Sequence, residues 1–137
     1  MRIAGLDIGS VRIGIALSDV MGMIASPVET FQCTGDLETD AKAIADRLME
    51  LKAGKVVFGF PKNMNGTLGP SAEKVLAFKE AFSSYCDLES ELMDERLSTV
   101  SAHNILRESG MKGKKRKKVV DQLAAQLILQ NYLDMHR

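Results

Sequence analysis

The sequence predicts an α/β fold in which a mixed sheet is flanked by helices. Two observations lead there. Two apolar, strand-like segments at the start are separated by a short Gly-containing turn, which makes an antiparallel hairpin, and the later strands alternate with segments of helical periodicity, which calls for βαβ crossovers. The 137 residues suit one domain of about 100 to 150 residues, expected to span positions 1 to 137.

Residues 2 to 8 (RIAGLDI) and 12 to 18 (RIGIALS) supply the hairpin, and a third short strand is expected around Val28 to Gln32. Asp36 can cap a helix whose apolar positions Leu37, Ala41, Ile44, Ala45, Leu48 and Leu51 recur at helical spacing, with Gly54 as its stop. Lys55 to Phe60 (KVVFGF) reads as an inner strand, ended by Pro61 and the turn-rich run 62 to 69. Pro70 and Ser71 open a helix with Val75, Leu76, Phe78, Ala81 and Phe82 inward. Leu88 to Asp94 is strand-like, Ser98 or Thr99 can cap a helix through Glu108, residues 111 to 117 read as a basic loop, and Val119 to Met135 is a long helix with Leu123, Ala124, Leu127, Ile128 and Leu133 inward. The resulting order is βββαβαβαα.

Hydrophobic residues form 45% of the chain and charged residues 26%, the balance of a globular protein with a core. No run approaches the roughly 20 apolar residues of a membrane span, and the start carries no signal-peptide pattern, so no membrane partner and a cytoplasmic location are expected. Cys33 and Cys86 make neither a CxxC nor a zinc spacing and read as reduced thiols. His103 and His136 stand alone, which suits structural or surface roles.

Three acids carry the chemistry. Asp7 ends an apolar strand, where an uncompensated carboxylate is costly; a salt bridge to Arg12, a turn cap or a metal would each compensate it. Glu95 follows a second strand in the run Asp94-Glu95-Arg96, whose alternation sends the two acids to opposite faces, so only one can join Asp7. Asp121 falls in the first turn of the last helix, where the dipole favours an acid, and its side continues through Ala125 and Ile128 toward the sheet. Should the three converge, their repulsion calls for divalent cations, and all-oxygen ligation favours Mg²⁺ or Mn²⁺ over zinc or copper. Two such ions about 3.5 to 4 Å apart can activate water and hold a scissile phosphate.

Eighteen basic side chains balance eighteen acidic ones, yet six of the basic ones fall within 112 to 118: Lys112, Lys114, Lys115, Arg116, Lys117 and Lys118. Such a cluster suits a nucleic-acid backbone, with binding that weakens as salt rises. Aromatic residues, at 5%, are too few for base-stacking platforms. The run 59 to 69 (GFPKNMNGTLG) lacks the Walker A order but offers Lys62, Asn63 and backbone amides to phosphate; an ordinary Asn-Gly turn explains it equally.

Taken together, Gly5-Leu6-Asp7-Ile8-Gly9 with Arg12 and Gly14, Gly59 to Gly66 (GFPKNMNG), Asp94 to Thr99 (DERLST), and Lys117-Lys118-Val119-Val120-Asp121 with Ala124 and Ala125 closely resemble the YqgF family, also called RuvX. The resemblance spans essentially the whole chain. It implies an RNase H-like mixed five-stranded sheet flanked by helices, and an enzyme akin to the RuvC Holliday-junction resolvases or a nuclease for the 5′ end of pre-16S rRNA. The family's acidic positions fall on Asp7, Glu95 and Asp121. Phe60 and Asn65 depart from the usual Leu and Asp, and the fourth acid of the resolvases has no clear counterpart, which favours strand hydrolysis over junction cleavage.

The leading expectation is therefore a two-metal nuclease acting on structured RNA in ribosome biogenesis, with ribosomal particles as possible company and Arg12, Lys62, Asn63, Arg96 and Lys114 to Lys118 gripping phosphates. Branched DNA is the alternative substrate, and a non-catalytic nucleic-acid-binding protein the alternative class. The opening Asp7-Ile8-Gly9 also resembles the actin-like ATPases, but the chain is short for their two clasping domains. Either a monomer or a homodimer is compatible with these readings.

Overall fold

In a computed structural model of the chain, residues 1–61, 69–94 and 113–136 are described, with side chains from 121 onward in the last stretch. Strand β1 (Arg2–Ile8) alternates its contacts: Ala4 and Leu6 enter one apolar cluster, while Ile3 packs against another on the opposite face. It pairs antiparallel with β2 (Arg12–Ser18), which pairs antiparallel with β3 (Ala25–Gln32). On its other side β1 pairs parallel with β4 (Ala53–Phe60), and β4 with β5 (Glu89–Asp94). The five strands lie in the order β3-β2-β1-β4-β5, the mixed sheet expected.

Helices α1 (Leu37–Glu50) and α2 (Pro70–Ser83) cover one face through Ile44, Leu48, Val75, Phe78 and Phe82, against Leu6, Ile13 and Phe58. The long helix α3 (Gly113–Met135) covers the other through Ala125, Ile128, Leu129, Tyr132 and Leu133, against Ala16 and Val57. Asp36 caps α1 as expected, accepting from the Thr39 amide at 3.0 Å.

Several boundaries move for identifiable reasons. Strand β3 begins at Ala25, before the expected Val28, and accommodates Pro27 because it is an edge strand and the register shifts opposite it, between Ile15 and Ala16. Gly54 is not the stop of α1: the helix ends at Glu50, Lys52 takes a left-handed φ of 60°, and β4 already starts at Ala53. Leu76, expected inward, is 39% exposed, since Val75 and Phe78 fill that face of α2. In α3 the buried stripe runs through Leu129 and Tyr132, with the expected Leu123 and Leu127 at its margins. The basic run expected as a loop through 117 is helical from Gly113 onward, since α3 starts six residues before Val119. The helix expected from Ser98 or Thr99 to Glu108 lies outside the described residues.

Helix α3 sits unusually close to the sheet. A β-carbon at Gly5 would come within 2.8 Å of the Leu129 β-carbon and 3.1 Å of the Ala125 carbonyl oxygen, and one at Gly14 would run into the main-chain carbonyl of Asp121. Bare backbone at positions 5 and 14 is what lets the helix descend. Along β3, glutamines tie the edge to the helix: the Ala25 amide donates to Gln130 Oε1 at 2.9 Å, and Gln126 Nε2 donates to the Ala25 carbonyl at 3.1 Å. Beneath the last turns of α3, Lys55 Nζ lies 2.9 Å from Glu91 Oε2 and 5.1 Å from the Tyr132 ring centre. The Tyr132 hydroxyl, and then the Lys55 ammonium, hold the Glu91 carboxyl below its usual range.

Two outcomes follow from this packing. Gly14→Ala should lower the unfolding free energy by about 1–3 kcal/mol or more, because the obstacle is backbone, whereas Gly54→Ala meets only the flexible Met1 side chain and should cost less; urea titration of both ranks them. Because the folded-state pKa of Glu91 is depressed below 4.5, its stabilisation is complete above that value and is lost as pH falls through the lowered one. Glu91→Gln should flatten this acid limb in a pH series of urea melts, and an unchanged limb would remove Glu91 as its source.

Candidate active site

The carboxyl end of β1 gathers the expected acids from two directions. Asp7 is half-buried and stands opposite Gly14 in the β1–β2 register. Alternation puts Asp7 with Ile3 and Gly5, on the face that α3 covers, and the main chain of Asp121 rests against Gly14 on that same face. Directly opposed residues of an antiparallel pair have Cα atoms about 5 Å apart, so Asp7 and Asp121 flank one glycine. The sequence reading placed Asp121 on the Ala125 and Ile128 side of its helix, and both of those residues are fully buried.

Asp121 has a defined partner. Arg12 Nε donates to Asp121 Oδ2 at 2.6 Å, with the two side chains 24% and 21% exposed. Arg12 was a candidate partner for Asp7 and a candidate phosphate ligand; the salt bridge found joins it to the acid on the helix instead. The guanidinium neutralises one carboxylate at the site and ties the start of β2 to α3.

Asp94 lies opposite Phe60, whose ring belongs to the α1–α2 cluster, so it faces away from Asp7, as strand alternation requires. Met93 and Glu91 have the opposite parity, and Met93 packs against the α3 cluster. Glu95, Arg96, Lys62 and Asn63 lie outside the described residues. The backbone of Lys114, Lys115, Arg116, Lys117 and Lys118 forms the opening turns of α3, the helix that delivers Asp121.

Nearby, Cys33 is half-buried and free of disulfide bonding, in keeping with the reduced thiol expected. Its pKa is pushed up, first by burial and then by the charges of Asp40 and Asp121. On the other face of the sheet the turn after β1 meets α2, where Lys74 Nζ donates to Ser10 Oγ at 2.8 Å. The sequence reading missed Lys74, because a single lysine on the outer side of an amphipathic helix carries no local signal. It missed Gly14 as a contact for the same kind of reason, since only the register and the helix path reveal it.

Among the described residues no three His, Cys, Asp or Glu side chains form a group able to hold a metal. The two acids whose backbones adjoin Gly14, Asp7 and Asp121, carry hard oxygen donors, the type that suits a Mg²⁺-like or Mn²⁺-like cation.

The model of the RuvX family, described as Holliday junction resolvase, matches residues 1–135. The chain belongs to the RuvX family. A RuvX relative from Clostridium tetani, named "Putative pre-16S rRNA nuclease", is 48% identical over 134 residues, covering 98% of this chain and 96% of its own. One of the same name from Lactiplantibacillus plantarum is 46% identical over 138 residues, covering 99% and 96%. Among solved structures, Thermus thermophilus RuvC in complex with a Holliday junction substrate aligns with a TM-score of 0.58 at 15% identity, over 98% of this chain and 96% of that one. This RuvX chain therefore has the RNase H-like fold.

The Arg12–Asp121 contact is open to direct measurement. A double-mutant cycle of Arg12→Ala and Asp121→Ala should give a coupling of about 1–2 kcal/mol, between the values typical of exposed and buried pairs. A coupling near zero would mean that the bridge does not hold in solution.

Proposed function

We propose that this protein is a metal-dependent nuclease that hydrolyses phosphodiester bonds in structured RNA and processes the 5′ end of pre-16S rRNA. The observation that carries the reading is the meeting of Asp7 and Asp121 across Gly14, in a chain whose near-full-length relatives are named for that nuclease activity. A non-catalytic binding protein has no evident use for two acids brought near one another at the carboxyl end of the central strand, where they repel.

Asp7, Asp121 and Glu95 would hold the cations. Glu95 follows Asp94 directly and has the parity of Glu91 and Met93, the residues of β5 on the α3 side. Divalent cations bound there would supply a water nucleophile at neutral pH and charge neutralisation of the phosphate. The chain's own groups do the rest. Gly14 lets the Asp121 main chain approach, so that both carboxylates reach one phosphate-sized space. Arg12 fixes the Asp121 carboxylate at 2.6 Å before substrate arrives, which limits the reorganisation left for the reaction. Lys114, Lys115, Arg116, Lys117 and Lys118, with Lys62, Asn63 and Arg96, would grip the backbone of the polyanion.

Branched DNA is the competing substrate, favoured by the family description and by the RuvC fold. A four-way junction is two-fold symmetric and calls for a paired enzyme, whereas a single chain can serve one RNA strand. Single-domain organisation over residues 1–137 belongs to the same proposal.

The experiment compares native protein and Asp7→Asn on a pre-16S leader RNA and on a four-way DNA junction, with Mn²⁺ supplied. RNA cleavage that falls at least about a hundredfold in Asp7→Asn, with RNA binding retained, is the expected result. Cleavage of the junction alone would replace RNA by DNA as the substrate, and activity that survives the substitution would remove Asp7 as a ligand.

A further inference from the structure

On the face of the sheet opposite α3, a cavity of about 330 Å³ opens beside the β1–β2 turn. Its apolar walls come from Ile8, Ile13 and Phe78, and its mouth carries Lys74 and Ser10, joined by the 2.8 Å hydrogen bond. One acid lines it: Asp40 on α1, only 5% exposed. Its Oδ1 accepts from the Thr34 amide at 3.0 Å and from the Thr34 hydroxyl at 2.8 Å, while Oδ2 has only a 3.3 Å contact with that same amide. A carboxylate offers about four acceptor positions, so Asp40 keeps capacity to accept another donor.

These features describe a ligand with three parts. An apolar body suits the walls, a hydrogen-bond donor the carboxylate, and an anion Lys74 and the Ser10 hydroxyl at the entrance. The volume falls at the lower end of small-molecule sites, about 300 to 1,000 Å³, which suits a single nucleotide and excludes a duplex. The geometry points to a site for one unpaired, amino-bearing nucleotide, with its base in the cavity, an exocyclic amine on Asp40 and its phosphate on Lys74 and Ser10.

Asp40 sets the selectivity. Cytosine, adenine and guanine present exocyclic amino donors, whereas uracil offers a single N3–H flanked by two carbonyls that a carboxylate repels. The site also has a place in the proposed reaction. Ser10 follows Asp7 by three residues, so a strand crossing the end of β1 could lodge an unpaired base on one face while its next phosphates pass toward the acids on the other. That placement rests on the nuclease reading; nucleotide binding itself does not.

The test titrates the metal-free full chain with AMP, CMP, GMP and UMP, read by amide chemical shifts in NMR. Saturable shifts at Gly9, Ser10 and Ala77 are expected with the amino-bearing nucleotides, and UMP should bind about fivefold more weakly or worse. Ala77→Leu, an exposed position on the lining, should abolish binding without disturbing the core. Lys74→Ala should weaken all four alike and reduce the salt slope by about one. Asp40→Asn, which can still accept from Thr34 while offering an amide donor, should bring UMP level with CMP.

Absence of saturable shifts at millimolar nucleotide, equal affinity of native protein for CMP and UMP, or indifference to Ala77→Leu would each overturn the site. If RNA is cleaved but no nucleotide binds here, the site alone fails. If nucleotides bind as described but no RNA is cleaved, the nuclease reading alone fails.

Discussion

The approach of α3 to the sheet over Gly5 and Gly14 is the constraint on which the rest of the structure depends. Helices pack against one another, or on sheets, through side chains and commonly stay 8–10 Å away, but here the main chains of Ala125 and Asp121 take the space that β-carbons would occupy. That descent buries Ala125, Ile128 and Leu129 completely. The Asp121 main chain can lie over the residue that pairs with Asp7 only because position 14 has no side chain. The cost of the two glycines in strands, roughly 0.5–1 kcal/mol each relative to alanine, is offset by the apolar surface that the helix covers.

The same constraint explains the role of Arg12. A carboxylate placed at the margin of a closely packed interface loses part of its hydration, and the charge must be met from within the fold. Arg12, on β2 with the same facing as Gly14 and Ala16, is positioned to meet it, so the salt bridge and the glycine contact act together to seat α3 on β2. The Lys55, Glu91 and Tyr132 cluster performs the corresponding task near the other end of α3, linking β4, β5 and helix.

Much of this was legible in the sequence. The apolar segments of β1 and β2 around a Gly-containing turn, the Asp36 cap and the Pro70 start each have a local cause, and each element began where that cause placed it. The grouping of Asp7 with Asp121 was legible only as a hope that sheet order would cooperate, since periodicity says nothing about which strand lies beneath a helix. The boundaries that moved did so where tertiary contacts outweigh propensity: an edge position tolerates Pro27, and a helix anchored by a buried stripe from Ala124 to Leu133 extends back through Lys114 to Lys118, a run of like charges that would resist helix formation alone. The pairing of Lys74 with Ser10 had no signal, because 64 positions separate them.

A chain with equal numbers of acidic and basic side chains gains nothing from its overall charge when it meets a polyanion, so any attraction must come from how the charges are arranged. Starting α3 at Gly113 places five basic residues within two turns ahead of Asp121 on a continuous rigid element, rather than on a tether. At a Debye length of about 8 Å under physiological salt, charges on distant surfaces are largely screened, so local arrangement outweighs the balanced total. Rigid coupling matters more here than the number of lysines. The helix that bears the basic run is the same one that the two glycines draw down onto the sheet, so its backbone and that of Asp121 are placed by a single packing contact.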